Sequence, residues 1–309
     1  MKSLTVFTPS YNRAEKLKSA YESLKKQTDN DFVWLVTDDG STDGTADRIR
    51  EFQQEGLVDI KYIRRENGGK MRAHNTGVKN CDTELFLCLD SDDHLSDTAV
   101  GDILNAWKDA RDDDSCAGII AYKGESADRV IYGNRFPEEL TGDTGSEADQ
   151  DISTQDNRRY ARISFRELYQ KGFRGETTLV FRTKLLKEHL FPEIEGEKYV
   201  PEDVVYDRID EGHSFILMPK ILTICELMED GYTDRAEELR REAPVGWFIY
   251  YYQRAVSWPW SLMKMKFAAH YLRFRGMVDI KFKKEYPLPG LIAFAGIPGW
   301  VILSVRGKL

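Results

Sequence analysis

The stretch LFLCLDSDDHLS, residues Leu85–Ser96, joins a short apolar run to three carboxylates within four positions: Asp90, Asp92 and Asp93. A short apolar run that ends in turn-forming residues predicts a buried strand. The carboxylates repel one another, and the stretch contains no Lys or Arg that could offset their charge. Two explanations are consistent with this pattern: a bound divalent cation, or a turn exposed to solvent.

The residues around this stretch alternate between strand and helix patterns. Short apolar runs predict strands at Leu4–Thr8, Phe32–Thr37, Val58–Ile63 and Leu85–Leu89. Amphipathic patterns predict helices at Ala14–Lys26, Asp43–Glu55 and Met71–Asn80. Such alternation indicates parallel βαβ units, and therefore an α/β fold with a mostly parallel sheet flanked by helices.

Each of the four predicted strands ends in a polar or glycine-rich segment. The segments are TPSYNR, TDDGSTDGT, RRENGGKMRAHNTG and DSDDH. In open α/β sheets, ligands bind beyond the carboxyl ends of the strands. Each segment alone is also consistent with an ordinary turn, but four of them at one sheet edge indicate a ligand site.

The residue types in these segments suit a nucleotide. Asp38 and Asp39 can accept hydrogen bonds from a nucleobase or a ribose, although one of them can instead cap the following helix. Gly68 allows the backbone to approach a ligand closely, and Lys70 brings positive charge toward phosphate. The spacing matches neither the P-loop nor the GxGxxG pattern.

The acid cluster suits a metal ion. An Asp-x-Asp at a strand end is expected to place two carboxylates on the same side of an extended segment. Oxygen ligands of this kind favour Mg²⁺ or Mn²⁺, with water and substrate phosphates filling the other coordination positions. Asp-x-Asp is a weak motif by itself, but here it follows segments suited to a nucleoside diphosphate. The sequence therefore favours the cation over the turn.

Taken together, TPSYNR, DDGSTDGT, NGGK…AHNTG and LDSDD resemble the inverting family-2 glycosyltransferases, whose nucleotide-sugar domain has the GT-A fold. The resemblance is specific over residues 3–95 and continues more weakly to about residue 232, through GEKYVPED and CELMEDGYT. It implies a nucleoside-diphosphate sugar donor, with UDP favoured, and a Mg²⁺ or Mn²⁺ cofactor. The implied acceptor is a glycan or a lipid-linked glycan.

The resemblance also implies roles for single residues. Those expected to bind the donor are Thr8, Pro9, Tyr11, Asp38, Asp39, Gly68, Lys70, Asn75, Asp90 and Ser91. Asp92 would be the direct metal ligand, with Asp90 close to the metal. Glu202 and Asp203 resemble the acidic pair of the family, and Asp203 is favoured as the base for the acceptor hydroxyl. The same pair after Pro201 also suits the first turn of a helix.

A further metal ligand is left open by the sequence. His213 is available on the C-terminal side, and Glu229 and Asp230 could approach the donor segment instead. For His213, an ordinary surface position explains the sequence equally well.

The C-terminal part differs in charge from the rest of the chain. Residues 246–309 contain ten Lys and Arg against two Asp and Glu, so residues 1–245 contain 34 basic and 50 acidic residues. The acidic part disfavours nucleic-acid binding. The aromatic and basic tail, with an uncharged run at 288–305, favours peripheral contact with an anionic membrane. A helical hairpin packed on the catalytic domain, or a homo-oligomer contact, is an alternative.

We expect three parts in the chain: a nucleotide-sugar-binding half at 1–115, an acceptor-side half at 116–232, and a helical extension at 233–309. Residues 138–160 are acidic and lack apolar periodicity, which predicts a mobile surface loop.

Four cysteines without CxxC spacing predict free thiols, and the polar start of the chain does not resemble a signal peptide. The expected location is the cytoplasm, at the cytoplasmic face of a membrane. The alternative function is a non-catalytic GT-A scaffold that binds nucleotide sugar.

Overall fold

The computed structural model describes residues 2–141, 160–225 and 236–305. The chain divides into two compact units. The first unit contains Met1–Leu190 and Arg208–Met228, and the second contains Phe191–Asp207 and Glu229–Leu309.

A mixed sheet forms the centre of the first unit. Its strands within the described residues are β1 Leu4–Ser10, β2 Phe32–Asp38, β3 Ile60–Arg64, β4 Leu85–Cys88, β5 Asp93–Leu95, β6 Cys116–Gly124, β7 Arg162–Ile163, β8 Thr177–Arg182 and β9 Ser214–Cys225. The order is β3-β2-β1-β4-β8-β6-β9-β5, and β7 pairs with β9. All pairs among β1 to β4 are parallel, whereas β8 runs antiparallel to both β4 and β6. The sheet is therefore parallel in its first half and mixed beyond it.

Helices connect and cover the strands of the first unit. They are α1 Leu17–Lys25, α2 Thr45–Glu55, α3 Lys70–Lys79, α4 Ala99–Trp107, α5 Glu138–Thr141, α6 Phe165–Gln170 and α7 Thr183–Glu188. The four strands and three helices predicted for the first 89 residues are confirmed, with ends that differ by a few residues. The α/β prediction is therefore correct.

The core on one face of the sheet follows from the sequence pattern. Leu17 and Tyr21 recur at helical spacing on α1, and both are fully buried. Tyr21 stacks on Phe52 of α2 with ring centroids 3.9 Å apart and lies against Trp34 of β2. Burial of each such side chain stabilises the fold by about 1.5–3 kcal/mol. This packing fixes α1 and α2 to one face of the sheet.

The second unit is helical within its described residues, as predicted for the C-terminal part. It contains α8 Asp203–Asp210, whose last three residues belong to the first unit, α9 Ala236–Glu242, α10 Pro244–Ser257, α11 Leu262–Arg275, α12 Ile280–Glu285 and α13 Gly290–Val305. Aromatic stacking joins α10 to α11: the rings of Phe248 and Tyr271 lie 4.7 Å apart. None of the helices that the structure describes combines the length and the apolar character required to cross a bilayer.

The first unit runs through the expected boundary at residues 115 and 116. Strands β6, β8 and β9 extend the sheet that β1 to β4 begin, so one sheet contains residues from both sides of that boundary. The division into donor and acceptor halves stays a prediction. Of the expected loop at 138–160, residues 142–159 lie outside the described residues, as do Glu229 and Asp230.

Candidate active site

The polar segments that follow β1 to β4 are joined by direct contacts at one edge of the sheet. The backbone N–H of Asn12 donates to Ser41 Oγ at 2.9 Å, and Asn12 Oδ1 accepts from the N–H of Thr42 at 2.8 Å. These bonds join the first segment to the second. Asp39 joins the second to the third, and Lys70 joins the third to the fourth. The predicted convergence of the four segments is therefore confirmed.

Asp39 organises the glycine-containing segment. Its buried carboxylate accepts from Asn67 Nδ2 at 3.0 Å, from Gly68 N at 3.0 Å and from Gly69 N at 2.7 Å, and it also pairs with Arg65. Gly69 has a φ of 94°, a conformation that favours glycine. Asp39 thus holds the backbone of this segment in place. Its contact with a nucleobase stays a prediction.

Asp38 stabilises the turn after β2. Its fully buried carboxylate accepts from the N–H of Ser41 at 2.7 Å and from the Tyr62 hydroxyl at 2.6 Å. Burial, followed by this hydrogen bond, raises the pKa of Tyr62. The expected cap of the following helix is not observed for Asp38, because α2 begins at Thr45 and Asp38 holds the N–H of Ser41 in the preceding turn.

The other expected donor residues differ in exposure. Thr8 is fully buried and accepts from Trp34 Nε1 at 3.0 Å, whereas Tyr11 is 48% exposed at the end of β1. Pro9 is partly buried, and Asn75 and Ser91 are buried. Tyr11 is therefore the aromatic side chain of this group that a ligand can reach without rearrangement.

The acid cluster adopts a turn, which corrects the expected extended geometry. Strand β4 ends at Cys88, and the N–H of Asp93 donates to the carbonyl oxygen of Asp90 at 3.1 Å. Strand β5 begins at Asp93 and pairs with β9. The positions of the Asp90 and Asp92 carboxylates are therefore set by this turn and not by the alternation of side chains along a strand.

Two lysines from other segments offset the charge of the cluster. Lys70 Nζ lies 2.8 Å from Asp90 Oδ1, and Lys123 Nζ, from β6, lies 3.3 Å from Asp93 Oδ2. Burial acts to raise the pKa of Asp90, but the two ammonium groups outweigh it, and the net pKa is lowered. For Asp93, burial is the larger effect and raises its pKa to about 6. Lys123 was missed in the sequence because it lies 30 residues beyond Asp93.

The remaining charge is suitable for a cation. Three carboxylates and two ammonium groups leave one negative charge, and Asp92 makes no ion pair or side-chain hydrogen bond within the described residues. No cluster of three or more His, Cys, Asp or Glu suited to a metal occurs in that part of the chain. Mg²⁺ needs only one or two carboxylates when substrate phosphates and water complete its shell. Asp92 with Asp90 fits that kind of site.

His213 does not belong to this cluster. It precedes β9, and Asp93 pairs with Cys225 at the other end of the same strand. At the rise of an extended chain, the twelve residues from His213 to Cys225 span roughly 40 Å. His213 Nδ1 instead lies 2.8 Å from the carbonyl oxygen of Ile209. His213 is partly buried, and its interpretation as an ordinary surface residue stays a prediction.

The acidic pair lies in the second unit, at the start of α8. Asp203 is 46% exposed, and Arg254 of α10 lies 3.0 Å from its Oδ2. Arg254 also holds Asp207 through two hydrogen bonds of 2.6 and 3.0 Å. Burial, with the nearby Asp207 and Glu202, raises the pKa of Asp203 to about 6 even though Arg254 opposes the shift. Arg254 carries no local sequence signal, since it lies 51 residues beyond Asp203.

The expected helix start is also observed. The N–H of Val204 donates to the carbonyl oxygen of Pro201, and the N–H of Tyr206 donates to that of Glu202. One acidic pair can therefore begin a helix and still present an accessible carboxylate.

The family model for glycosyl transferase family 2 matches residues 5–190, more than half of the chain. The chain therefore belongs to glycosyl transferase family 2. Among curated proteins, it is 28% identical over 198 residues to the poly(ribitol-phosphate) beta-N-acetylglucosaminyltransferase TarP of Staphylococcus aureus, an alignment that covers 62% of this chain and 56% of that protein. It is also 28% identical over 147 residues to the putative teichuronic acid biosynthesis glycosyltransferase TuaG of Bacillus subtilis, covering 45% and 55%. The chain thus spans about half the length of these relatives.

Solved structures share the fold. S. aureus TarS 1-349 in complex with UDP matches with a TM-score of 0.57 and 16% identity, over 97% of this chain and 78% of that chain. The mannosyltransferase PcManGT from Pyrobaculum calidifontis, in complex with GDP-Man and Mn²⁺, matches with a TM-score of 0.55 and 16% identity, over 100% and 77%. At this identity the likeness shows the fold alone, and the expected GT-A fold is confirmed.

Proposed function

We propose that this protein is a metal-dependent inverting glycosyltransferase. It moves a sugar from a nucleoside-diphosphate donor to a glycan or lipid-linked acceptor in the synthesis of a cell-surface polysaccharide. The observation that carries the proposal is the chain of contacts that joins the four strand-end segments, from Asn12 through Asp39 to Lys70 and Asp90. A site of this composition suits a nucleotide carrying a diphosphate.

UDP is the favoured donor nucleotide. TarP is named as a poly(ribitol-phosphate) beta-N-acetylglucosaminyltransferase and TuaG as a putative teichuronic acid biosynthesis glycosyltransferase, and the TarS structure contains UDP. The GDP-Man in PcManGT shows that the same fold accommodates another base. The identity of the base in this protein therefore needs a direct measurement.

The residues of the first unit would bind the donor. Asp92, with Asp90 beside it, would hold Mg²⁺ or Mn²⁺, which supplies positive charge for the departing nucleoside diphosphate. Lys70 adds a second positive charge at the same place. Exposed Tyr11 and partly buried Pro9 would border the base, and fully buried Thr8 would support them from within the sheet.

Asp203 would act as the general base, with Glu202 beside it. A carboxylate with a pKa of about 6 is deprotonated at neutral pH yet basic enough to take a proton from a hydroxyl. As the proton moves to Asp203, the acceptor oxygen attacks the anomeric carbon and the bond to the diphosphate breaks. Attack opposite the leaving group inverts the anomeric configuration.

The alternative function is a GT-A scaffold that binds nucleotide sugar without turnover. The presence of both the Asp90/Asp92 pair and the accessible Asp203 favours the enzyme. We also propose peripheral membrane contact through residues 246–309, at the cytoplasmic face, because this part combines ten Lys and Arg with aromatic residues and an uncharged apolar run. The expected absence of nucleic-acid binding and the possible homo-oligomer stay predictions.

A calorimetric binding panel tests this proposal. UDP, GDP, CDP and dTDP are titrated into the protein with Mn²⁺ and with EDTA. We expect micromolar binding of one diphosphate, on the order of −8 kcal/mol, that EDTA abolishes. Asp92→Ala should weaken this binding, whereas Asp82→Ala, which removes a carboxylate with 76% exposure, should not.

The outcomes separate the two functions. Hydrolysis or transfer from the matching sugar nucleotide supports the enzyme. Metal-dependent binding with no turnover on any sugar of that nucleotide supports the scaffold. Equal affinity in Mn²⁺ and EDTA would overturn the metal role of Asp92.

A further inference from the structure

Helix α13 packs through its small residues. Gly296 is buried, and a Cβ added there would lie 2.8 Å from Ala268 Cβ of α11. A Cβ added at Gly299 would lie 2.9 Å from Ala269 Cβ. Glycine on one helix and alanine on the other therefore allow the two backbones to approach closely.

The large apolar side chains of α13 point away from that contact. Their exposed fractions are 71% for Leu291, 72% for Phe294, 43% for Ile297, 38% for Trp300, 47% for Val301 and 53% for Ile302. Helices in water usually bury such residues and expose polar ones. Because small residues make the contact with α11, the large apolar residues of α13 are left on its outer face, where a helix at a membrane interface places them. An exposed apolar surface of this extent indicates an interaction site.

Positive charge lies next to this apolar surface. Helix α12 contains Lys281, Lys283 and Lys284 and ends a few residues before α13 begins. Lys281 and Lys284 are exposed, and Lys283 is partly buried. The Tyr271 hydroxyl of α11 donates to the carbonyl oxygen of Tyr286 and accepts from the N–H of Leu288, which fixes the connection between the two helices.

We propose that the outward face of α13 and the lysines of α12, here called the α12–α13 surface, dock onto an anionic lipid bilayer. The apolar side chains enter the acyl boundary while the ammonium groups contact lipid phosphate. Helix α13 has 16 residues, or about 24 Å at the α-helical rise, which is shorter than a bilayer core of about 30 Å. We therefore place the described part of α13 in the interface, parallel to the bilayer plane.

Charge favours lipid over a second copy of the chain. A two-fold contact between copies would set the same surface against itself. Two patches of the same net positive charge would then meet, whereas an anionic bilayer offers the opposite charge. The docking does not depend on glycosyl transfer, although it would bring a lipid-linked acceptor to the same surface as the enzyme.

Vesicle flotation of the full chain tests the proposal without donor or metal. One set of vesicles is an equimolar mixture of phosphatidylglycerol and phosphatidylcholine, and the other is phosphatidylcholine alone. We expect flotation with the anionic vesicles only. The double variant Leu291→Glu/Phe294→Glu should reduce the bound fraction by about tenfold or more, and Lys281→Glu/Lys284→Glu should do so at low salt.

Leu57→Glu is the matched control, because Leu57 is 62% exposed but lies in the first unit. It should float like the unchanged protein, and circular dichroism should show all variants folded. No flotation with anionic vesicles would overturn the proposal. So would self-association, measured by light scattering, that is lost in Leu291→Glu/Phe294→Glu while vesicles bind neither protein.

Discussion

At the residue scale, basic side chains from distant parts of the chain set the state of each acidic group. Lys70 and Lys123 each neutralise one carboxylate of the turn, and among the described residues no ion pair is formed by Asp92. Arg254 contacts Asp203 and Asp207, yet the pKa of Asp203 remains raised to about 6. The first arrangement suits a cation, and the second suits a base that works near neutral pH.

The pKa of Asp203 leads to a prediction for activity. The base accepts a proton only when deprotonated, so kcat/KM should fall as the pH drops below about 6. An ordinary Asp would stay active down to about pH 4. Asp203→Asn should lower the rate of glycosyl transfer by about 10²- to 10⁴-fold, and this variant should still bind the donor diphosphate. Initial rates across pH and calorimetry check both statements.

Two further variants make this test specific. Arg254→Met removes a positive charge that lowers the pKa of Asp203, so the acidic limb should move to higher pH. Glu195→Gln, an exposed acid of the same unit, should leave the profile unchanged. Full activity of Asp203→Asn would exclude Asp203 as the base.

At the scale of elements, α3 is placed against the sheet by a glycine. A Cβ at Gly77 would lie 2.2 Å from Phe7 Cε2 of β1, and Phe7 itself packs against His74 of α3 and Phe86 of β4. Helix α3 begins at Lys70, which reaches Asp90. The close approach of α3 to the sheet therefore also positions a lysine of the candidate site.

This contact predicts a loss of stability in Gly77→Ala. The added methyl group should lower the free energy of unfolding by about 1–3 kcal/mol, because a packed ring must move. Gly101→Ala is the matched control in α4, since its nearest neighbouring atom lies at an ordinary 3.6 Å. It should raise the free energy of unfolding by about 0.5–1 kcal/mol through helix propensity. Urea denaturation of both variants measures the difference, and equal effects would contradict it.

At the scale of the whole molecule, the chain divides its chemistry between two units. The expected donor residues lie in the first unit, and the acidic pair with Arg254 lies in the second. Their charge also differs, since residues 246–309 have an excess of eight positive charges in a chain of net charge −8. Because the expected donor residues lie in the first unit, binding of the donor nucleotide should stabilise that unit against thermal unfolding.

We predict a metal-dependent rise in the midpoint of thermal unfolding. A ligand at 100 times its Kd that binds only the folded state adds about 2.7 kcal/mol of stability. The matching nucleoside diphosphate with Mn²⁺ should produce this shift in calorimetric scans, and the same nucleotide with EDTA should not. Asp92→Ala should lose the shift and Asp82→Ala should keep it. A shift that persists in EDTA would contradict the prediction.

The sequence by itself determined the α/β class, the first four strands and three helices, and the polar strand ends that meet at one sheet edge. Apolar periodicity and turn residues are local signals, and parallel strand order makes their carboxyl ends meet. The acidic pair at a helix start and the basic, aromatic helices near the C-terminus were also predicted from local composition.

Only the tertiary structure decided the partners of these groups. The turn at Asp90–Asp93, the pairing of Lys123 with Asp93, and the double contact of Arg254 with Asp203 and Asp207 depend on residues far apart in the chain. The outward face of α13 was also undetermined, since an uncharged helix has no polar side to mark its orientation. Local patterns record which residues are apolar or charged, whereas folding decides which of them come within hydrogen-bond distance.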